Sequence, residues 1–284
     1  MSPARILVVG SVNLDFVATA AKLPAPGETV TGAVLARHPG GKGANQALAA
    51  RRLGAEVALA ARVGADAMAD EALALLRAGS VDLSACGVDA SAATGVALIA
   101  VSADGENQII VASGANATLT PDRLVLPAAD AIICQLEIPM ETVLAASRAP
   151  GVFCVNLAPA AVVPDELLAR ADLIVVNEGE AAFQGARLNM AKGLVAITQG
   201  AKGAALFRNG AEIARAPPPA VTAVDTTGAG DAFVGALVVA LMEKQSPEAA
   251  LRFACAAGAL AATAPGAQPS LPHRADVDRL LARV

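Results

Sequence analysis

Short aliphatic runs, several of them separated by helical patterns, dominate the amino-terminal and central parts of the chain. Residues 5–9 read RILVV and are followed by a glycine, which is typical of a buried strand that ends in a turn. Similar runs follow at residues 57–61, 131–134, 152–155, 173–176 and 194–198. Helical spacing appears at residues 45–53 and at residues 66–78, which end at the capping glycine Gly79. Alternating strands and helices with fully aliphatic strands predict an α/β fold with a doubly wound, mostly parallel sheet and helices on both faces.

Two segments break this alternation and predict a small β element. Residues 94–113 contain the dipeptide Asp104–Gly105 between two β-type runs, which is a strong hairpin signal. Residues 15–38 contain the turn sequence PAPG and have room for two short strands. We therefore expect a β lid with strands inserted at about 14–38 and 94–113. No linker is long enough to separate two units, so residues 1–284 are interpreted as one domain.

Composition and charge exclude several classes of protein. Hydrophobic residues make up 55% of the 284 positions and charged residues 17%, so the chain can bury a core and general disorder is excluded. The net charge is −5 and the basic residues are scattered, which disfavours nucleic-acid binding and membrane-surface binding. Trp and Tyr are absent and Phe occurs six times, so a base-stacking platform is not expected. The most apolar stretches are too short to span a membrane.

Cysteine and histidine patterns disfavour metal and nucleophile chemistry. The four cysteines, at positions 86, 134, 154 and 255, lack C-x-x-C spacing, and we expect reduced thiols in a cytoplasmic protein. The two histidines, His38 and His273, do not accompany a G-x-S-x-G motif, so a nucleophilic triad or a catalytic zinc site is not expected.

The most informative segment is DTTGAGDAF at residues 225–233, which leads into a helical run at 234–242. Glycines let backbone N–H groups approach an anion, and the start of a helix adds unpaired N–H groups and a positive dipole end. The segment therefore suits a phosphate that gains charge in a transition state. Asp231 takes the position of an N-cap or first-turn carboxylate, and a plain loop-to-helix cap is the alternative interpretation of these residues.

A second glycine segment, PGGKGANQ at residues 39–46, precedes the first helical pattern. Lys42 is followed by Gly43, so the Walker A motif is absent, and the G-x-G-x-x-G spacing is absent as well. The segment could cradle a polyhydroxy ligand or form a tight turn. Polar residues also follow several predicted strands, and in a doubly wound sheet this edge favours a shared cleft. They are Asn13, Asp15, Glu137, Asn156, Asn177 and Glu180.

Taken in order, these segments resemble the PfkB carbohydrate kinase family, and within it the branch that phosphorylates ribose. The resemblance covers nearly the whole chain through GSVNLDFV at residue 10, PGETVTG at 26, GGKGANQA at 40, TGVALI at 94, SGAN at 113, QLEIP at 135, VNEGE at 176, TQGAKG at 198, DTTGAGDAFVGAL at 225 and PGAQPSLP at 265. It implies an α/β core with a β lid. It also implies ATP-dependent transfer of phosphate to a sugar hydroxyl, most directly conversion of D-ribose to ribose 5-phosphate.

The resemblance also implies roles for individual residues. Asp231 matches the catalytic base, and Gly228, Ala229 and Gly230 match the anion hole. The positions that match sugar contacts are Asn13, Asp15, Gly41, Lys42, Gly43, Asn45 and Glu137. The positions that match the nucleotide side are Asn177, Thr198, Gly200, Lys202 and Gly203, with Glu180 linked indirectly to Mg²⁺. A monovalent-cation site for an activating K⁺ matches Asp225, Thr227, Ala261, Ala264, Gly266 and Ser270. A homodimer through the β lid is implied as well.

One departure from the family pattern and two alternatives remain open. Between Asn177 and Thr198 the chain is short, because a helix of about four turns usually lies there. Residues 178–185 could still supply the crossover connection between the two predicted parallel strands. The missing helix leaves open whether the nucleotide side of the site is complete. A kinase for another small sugar or a nucleoside is one alternative, although the few aromatic residues disfavour a nucleoside. A non-catalytic sugar-binding protein is the other, and the intact Asp231 segment argues against it.

Overall fold

The computed structural model describes residues 2–283, which form thirteen strands and nine α-helices. The strands are β1 Arg5–Val9, β2 Asn13–Thr19, β3 Val34–Gly40, β4 Glu56–Gly64, β5 Cys86–Asp89, β6 Gly95–Val101, β7 Asn107–Ala112, β8 Ala131–Cys134, β9 Val152–Asn156, β10 Leu173–Asn177, β11 Leu194–Thr198, β12 Ala204–Arg208 and β13 Ala211–Ala216. The helices are α1 Lys42–Arg52, α2 Ala67–Ala78, α3 Met140–Ser147, α4 Asp165–Arg170, α5 Glu178–Gln184, α6 Ala229–Met242, α7 Pro247–Ala261, α8 Ala267–Ser270 and α9 Arg274–Leu281.

Nine of the strands form one large sheet in the order β13-β12-β11-β10-β9-β8-β1-β4-β5. The pairs from β11 to β5 are parallel, and the pairs β11–β12 and β12–β13 are antiparallel. The mostly parallel sheet predicted from the aliphatic runs is therefore confirmed. Strands β1, β8 and β11 begin and end at the predicted residues.

Strand β1 marks the point where the order of the sheet reverses. The chain places β4 and β5 on one side of β1 and β8 to β13 on the other. The connections that leave the carboxyl ends of β1 and β8 therefore run to opposite sides and leave a crevice between them, the position where ligands bind in doubly wound sheets. Val9 and Cys134 are paired at this edge, so the residues that follow them face the crevice.

Helices cover both faces of this sheet, as the sequence predicts. Ile6 and Val8 of β1 pack into one apolar cluster with α1, α2, α6 and α7, whereas Leu7 and Val9 pack into a second cluster with α3 and α4. This division follows from the alternation of side chains along a strand. Small residues let α1 and α6 approach closely, since a Cβ at Gly235 would lie 2.9 Å from the Cβ of Ala49.

The remaining four strands form a second sheet, in the order β3-β2-β6-β7, which we call the lid. The β6–β7 hairpin turns at Asp104–Gly105, as predicted, and Gly105 has a φ of 88°. Strand β2 starts and strand β3 ends beside the crevice, because Asn13 pairs with Gly40 at the base of the lid. The lid therefore rises directly from the edge of the large sheet at which the crevice lies.

The short segment between β10 and β11 is compact. Helix α5 and a 3₁₀ turn at Gly185–Met190 connect the two parallel strands, so the crossover predicted at residues 178–185 is present. Gln184 and Arg187 donate hydrogen bonds to the carbonyls of Ala161 and Val163 and fix this connection to the loop before α4.

The four cysteines are free, and those at positions 134, 154 and 255 are buried, as expected for core thiols. None of the helices that residues 2–283 form is long and apolar enough to cross a membrane.

Candidate active site

Asp231 lies in the first turn of α6 and is only 7% exposed. Gly228, in the left-handed conformation with φ 78°, is the N-cap of this helix. The Asp231 carboxylate bonds no backbone N–H of its own helix. Instead it accepts hydrogen bonds from Asn45 Nδ2 at 2.8 Å and Gln46 Nε2 at 2.9 Å. The interpretation of Asp231 as a helix cap is therefore wrong, and its carboxylate is held by side chains of α1.

The start of α6 offers backbone N–H groups beside this carboxylate. The Ala229 N–H is bonded to the Thr226 carbonyl at 3.1 Å. For the N–H groups of Gly228 and Gly230, residues 2–283 supply no backbone or side-chain acceptor. Unpaired donors at a helix start attract anions. Of the three residues predicted to form an anion hole, Gly228 and Gly230 thus have N–H groups without an acceptor among residues 2–283, whereas the Ala229 N–H is committed to the turn.

The second glycine segment brings α1 against the end of β1. Gly41 has a φ of 88°, and a Cβ there would lie 2.7 Å from the Asn13 backbone nitrogen. Both its conformation and its contacts therefore require glycine. Glu137, which follows β8, accepts hydrogen bonds from Ser11 Oγ at 2.5 Å and from the Lys42 N–H at 3.1 Å. The carboxyl ends of β1 and β8 and the start of α1 are tied together by this one carboxylate.

Asp15 and Asn13 enter the same cluster from the base of the lid. The Asp15 carboxylate lies over Gly40, where a Cβ would come within 2.1 Å of Oδ2. Burial, together with the charges of Glu137 and Asp231, raises the pKa of Asp15 to about 7. Asn13 is buried, and its Oδ1 accepts a hydrogen bond from Asn116 Nδ2 at 2.8 Å.

Lys42 supplies positive charge among these acids. Burial alone lowers the pKa of its ammonium group, but the carboxylates of Asp231, Glu137, Glu180 and Asp15 more than compensate, so the pKa is raised. Lys42 therefore stays protonated at neutral pH. Burial likewise raises the pKa of Asp231, while Lys42, Asn45 and Gln46 oppose this shift.

A cavity of about 210 Å³ lies next to Asp231. Its polar lining comprises Lys42, Asn156, Asn177, Glu180, Thr198, Thr226 and Asp231, together with the backbone of Gly228 and Gly230. Asn177 and Glu180 form a reciprocal capping box at the start of α5, with two hydrogen bonds of 2.8 Å. The N-x-x-E motif thus has a structural role here and also presents Glu180 to the cavity.

A larger cavity of about 530 Å³ adjoins the first and shares Thr198, Thr226 and Gly230 with it. Its lining is mainly apolar and includes Gly200, Gly203, Pro219, Val221, Phe233, Cys255 and Ala259. An apolar slot of this size suits a planar base. Residues 178–197 are all described by the structure and none of them lines it, so the short segment takes no part in forming this cavity. Lys202 is exposed and stands outside its lining.

The residues predicted to hold a monovalent cation lie on two loops behind the start of α6 and on the helices that flank them. Asp225 Oδ1 accepts hydrogen bonds from the N–H of Thr227 at 2.9 Å and its Oγ1 at 2.6 Å, and Oδ2 accepts one from the Gly266 N–H at 2.8 Å. Burial opposes ionisation, but these bonds lower the pKa of Asp225. Ala261, Ala264, Gly266 and Ser270 lie on the second loop and its flanking helices, and the Ser270 hydroxyl donates to the Ala267 carbonyl. Within residues 2–283, no three His, Cys, Asp or Glu side chains are grouped to hold a metal ion.

Sequence reasoning gave no role to several polar residues of the site. Gln46 and Gln135 are fully buried and bonded to each other, and Ser11 and Asn116 bind Glu137 and Asn13. Each is a polar residue in or next to a strongly apolar or glycine-rich segment. Because buried polar groups need partners, this pattern is the signal that could have identified them.

The chain is similar to known carbohydrate kinases along its whole length. Residues 3–274 match the model of the pfkB family carbohydrate kinases. The chain is 39% identical to the ribokinase of Haemophilus influenzae over 294 residues, which cover 95% of both chains. The crystal structure of a ribokinase from Thermotoga maritima superposes with a TM-score of 0.89 at 32% identity, covering 98% of this chain and 99% of the other. A structure of Arabidopsis thaliana ribokinase complexed with ribose and ATP superposes with a TM-score of 0.86 at 32% identity, covering 99% of both chains. On this evidence the chain belongs to the PfkB family of carbohydrate kinases.

Proposed function

We propose that this protein transfers the γ-phosphoryl group of ATP to the 5-hydroxyl of D-ribose. The observation that carries the proposal is the position of Asp231, a buried carboxylate at a helix start, between a cluster of sugar-binding residue types and two adjoining cavities. Relatives named ribokinase, one of them solved with ribose and ATP, support ribose as the acceptor and ATP as the donor.

The cluster around α1 suits a small polyhydroxy ligand. Asp15, Asn13 and Glu137 offer acceptors for hydroxyl groups, while Lys42 and Asn45 offer donors. The Oδ1 atom of Asn45 is buried without a hydrogen-bond partner among the described residues, so it can accept from a hydroxyl of the sugar. Gly41 and Gly43 let the start of α1 lie directly against the backbone of residues 10–13, since a Cβ at Gly43 would come within 2.5 Å of the Ser11 nitrogen, and this places Lys42 and Asn45 in the cluster.

Phosphoryl transfer requires positioning and charge stabilisation more than covalent chemistry. Asp231 accepts the proton of the 5-hydroxyl, whose oxygen then bonds to the γ-phosphorus. The bond between that phosphorus and the bridging oxygen of ADP breaks, and ADP leaves with its negative charge. The N–H groups of Gly228 and Gly230, together with Lys42, stabilise the charge on the transferred group.

The oxygen groups present fit the two cations, Mg²⁺ and K⁺, that the resemblance to the family implies. Mg²⁺ keeps most of its waters and needs few carboxylates, which suits Glu180, the carboxylate other than Asp231 that lines the smaller cavity. The carboxylate of Asp225, the hydroxyls of Thr227 and Ser270 and backbone carbonyls near Ala261, Ala264 and Gly266 are hard oxygen donors, and such donors suit K⁺. Since Asp225 bonds to Gly266, a cation there would order both loops behind the anion hole.

A homodimer through the lid completes the proposal. On the face of the lid that carries Asp15, residues in register form an apolar row of Val17, Ile99 and Ile109, with Val111 beside it. Ile109 is 55% exposed and Val111 46%, which leaves this row uncovered above the sugar site. A second copy of the chain would bury it and exclude water from the transfer reaction.

Changing Ile109 to Lys should therefore convert a dimer to a monomer in sedimentation experiments. Ile110→Lys is the matched control, because Ile110 is 68% exposed and points to the opposite face of the lid. Equal sedimentation of both variants and the wild type would contradict a dimer through this face.

ADP release with a panel of sugars and nucleosides tests the substrate. We expect turnover with D-ribose, weaker turnover with 2-deoxyribose, and none with nucleosides. Turnover with another sugar but not with ribose would reject ribose as the substrate, although the protein would still be a kinase. Sugar binding without any ADP release would favour a non-catalytic protein.

A further inference from the structure

A chain of three buried amides connects Asp231 to the interior of the sheet. Gln135 Nε2 donates to Gln46 Oε1 at 2.7 Å. Gln46 Nε2 donates to Asp231 Oδ1 at 2.9 Å and to Asn156 Oδ1 at 3.1 Å, and Asn156 Nδ2 donates to the Val175 carbonyl at 3.1 Å. Gln46 and Gln135 have no exposed surface and Asn156 has 7%. We call these three residues the amide relay.

The direction of the hydrogen bonds along the amide relay is fixed by the groups that it bonds to, the Val175 carbonyl and Asp231. The Val175 carbonyl and an ionised Asp231 can only accept hydrogen bonds. Asn156 must therefore turn its NH₂ group to Val175 and its oxygen to Gln46. Gln46 in turn must direct its NH₂ group to both Asn156 and Asp231, and its own oxygen is then satisfied by Gln135. No other orientation of Gln46 or Asn156 preserves all of these bonds.

We propose that Gln46, held by Gln135 and Asn156, is the positioning residue that orients Asp231 and keeps it ionised for proton acceptance. The inference rests on the proposed role of Asp231 as the base. Gln46 lines neither of the two cavities beside Asp231, so its contribution passes through Asp231.

Other charges also face Asp231 and must be separated from this effect. Lys42 faces it from α1, Asp15 from β2, Glu137 from the loop after β8 and Glu180 from α5. All four remain in place when Gln46 is changed. A difference between the pH profiles of wild type and variant, measured at saturating ribose and ATP, therefore reports the loss of the Gln46 bond.

Gln46→Met removes the donor and keeps the length of the side chain. A hydrogen bond to a charged group corresponds to about one unit of pKa or more. The acidic limb of kcat should therefore move to higher pH by about one unit. At pH values below the shifted pKa, we expect kcat to be about tenfold lower than in the wild type. At alkaline pH kcat should recover, and the ribose KM should be little changed. Gln184→Met is the matched control, since Gln184 is also buried but bonds to the Ala161 carbonyl outside the site.

Gln135→Met provides a second test, one bond further from Asp231. It should shift the limb in the same direction by a smaller amount, and it decides the question if Gln46→Met does not fold. The proposed role of Gln46 would be overturned if the acidic limb of kcat stayed at the same pH as in the wild type. It would also be overturned if kcat fell by the same factor at every pH. Asp231→Ala in the same assays separates the two hypotheses. If this variant stays active, the base assignment fails; if it is inactive while Gln46→Met has the wild-type profile, only the relay fails.

Discussion

Replacement of Asp231 by Asn should abolish turnover while leaving the fold almost unchanged. The structure explains why this substitution is well tolerated. Gln46 presents an NH₂ group of fixed orientation, and the Oδ1 atom of the new Asn side chain can accept a hydrogen bond from it. Asn45 Oδ1 has no partner among the described residues, so its amide can rotate and accept from the new Nδ2. Both hydrogen bonds are thereby retained.

The magnitudes of the two effects differ widely. Two bonds to a charged carboxylate become neutral bonds, but a buried charge disappears, so we expect the free energy of unfolding to change by no more than about 1 kcal/mol. For a chain of this size, that corresponds to about 2–4 °C in the thermal midpoint. In contrast, a positioned base contributes about 10²–10⁴-fold in rate, and kcat should fall by that factor.

Coupled ADP release gives kcat, calorimetric titration gives ribose affinity, and a thermal melt gives stability, all on one preparation. Asp130→Asn is the control, because Asp130 accepts the Arg5 N–H at 2.9 Å at the opposite edge of the sheet. Its kcat should match that of the wild type. An Asp231→Asn variant that keeps more than about a tenth of wild-type kcat would refute the base assignment.

Two further predictions concern pH and potassium. The pKa of Asp15 is raised to about 7, so its carboxyl group is protonated below that pH and ionised above it. Because only the ionised form accepts hydroxyl hydrogens with both oxygens, the ribose KM should rise as pH falls through 7. Asp15→Asn should raise KM and remove this dependence, and an unchanged pH dependence in that variant would contradict the assignment. Potassium should activate by ordering the two loops that Asp225 joins, so activity should fall in a large organic cation and Asp225→Asn should weaken the response. Equal activity in both cations, after removal of trace alkali ions, would reject the cation site.

The sequence predicted the layered fold well because its signals are local. Aliphatic runs identified six of the nine strands of the large sheet, and Asp104–Gly105 identified the lid hairpin, whereas β5, β12 and β13 were not predicted. The connection at residues 178–185 was also predicted, although the sequence could not tell whether the short segment damaged the nucleotide side. The large cavity depends on a tertiary arrangement, because its lining comes from residues 198–203, from the loop before α6, and from α6 and α7.

The candidate site was predicted as a set of residues but not as a network. Asn13, Asp15 and Glu137 stood out because they follow predicted strands, and Asp231 because it precedes a predicted helix. In the structure Asn13 and Asp15 belong to β2. The side-chain bonds of Asp231 cross 185 and 186 positions of sequence and leave no local pattern. For the same reason a cap could not be distinguished from a base, and Gln46 and Gln135 were not recognised.

The position of the transferred phosphate tests the central claim most directly. D-ribose and 5-deoxy-D-ribose should be incubated with Mg-ATP and the purified protein, and the products examined by ³¹P NMR coupled to proton spectra. The account predicts one phosphomonoester on C5 of ribose, formed with one ADP for each sugar, and no phosphorylation of the 5-deoxy sugar. Phosphate on another carbon, or equal turnover of the 5-deoxy sugar, would contradict it.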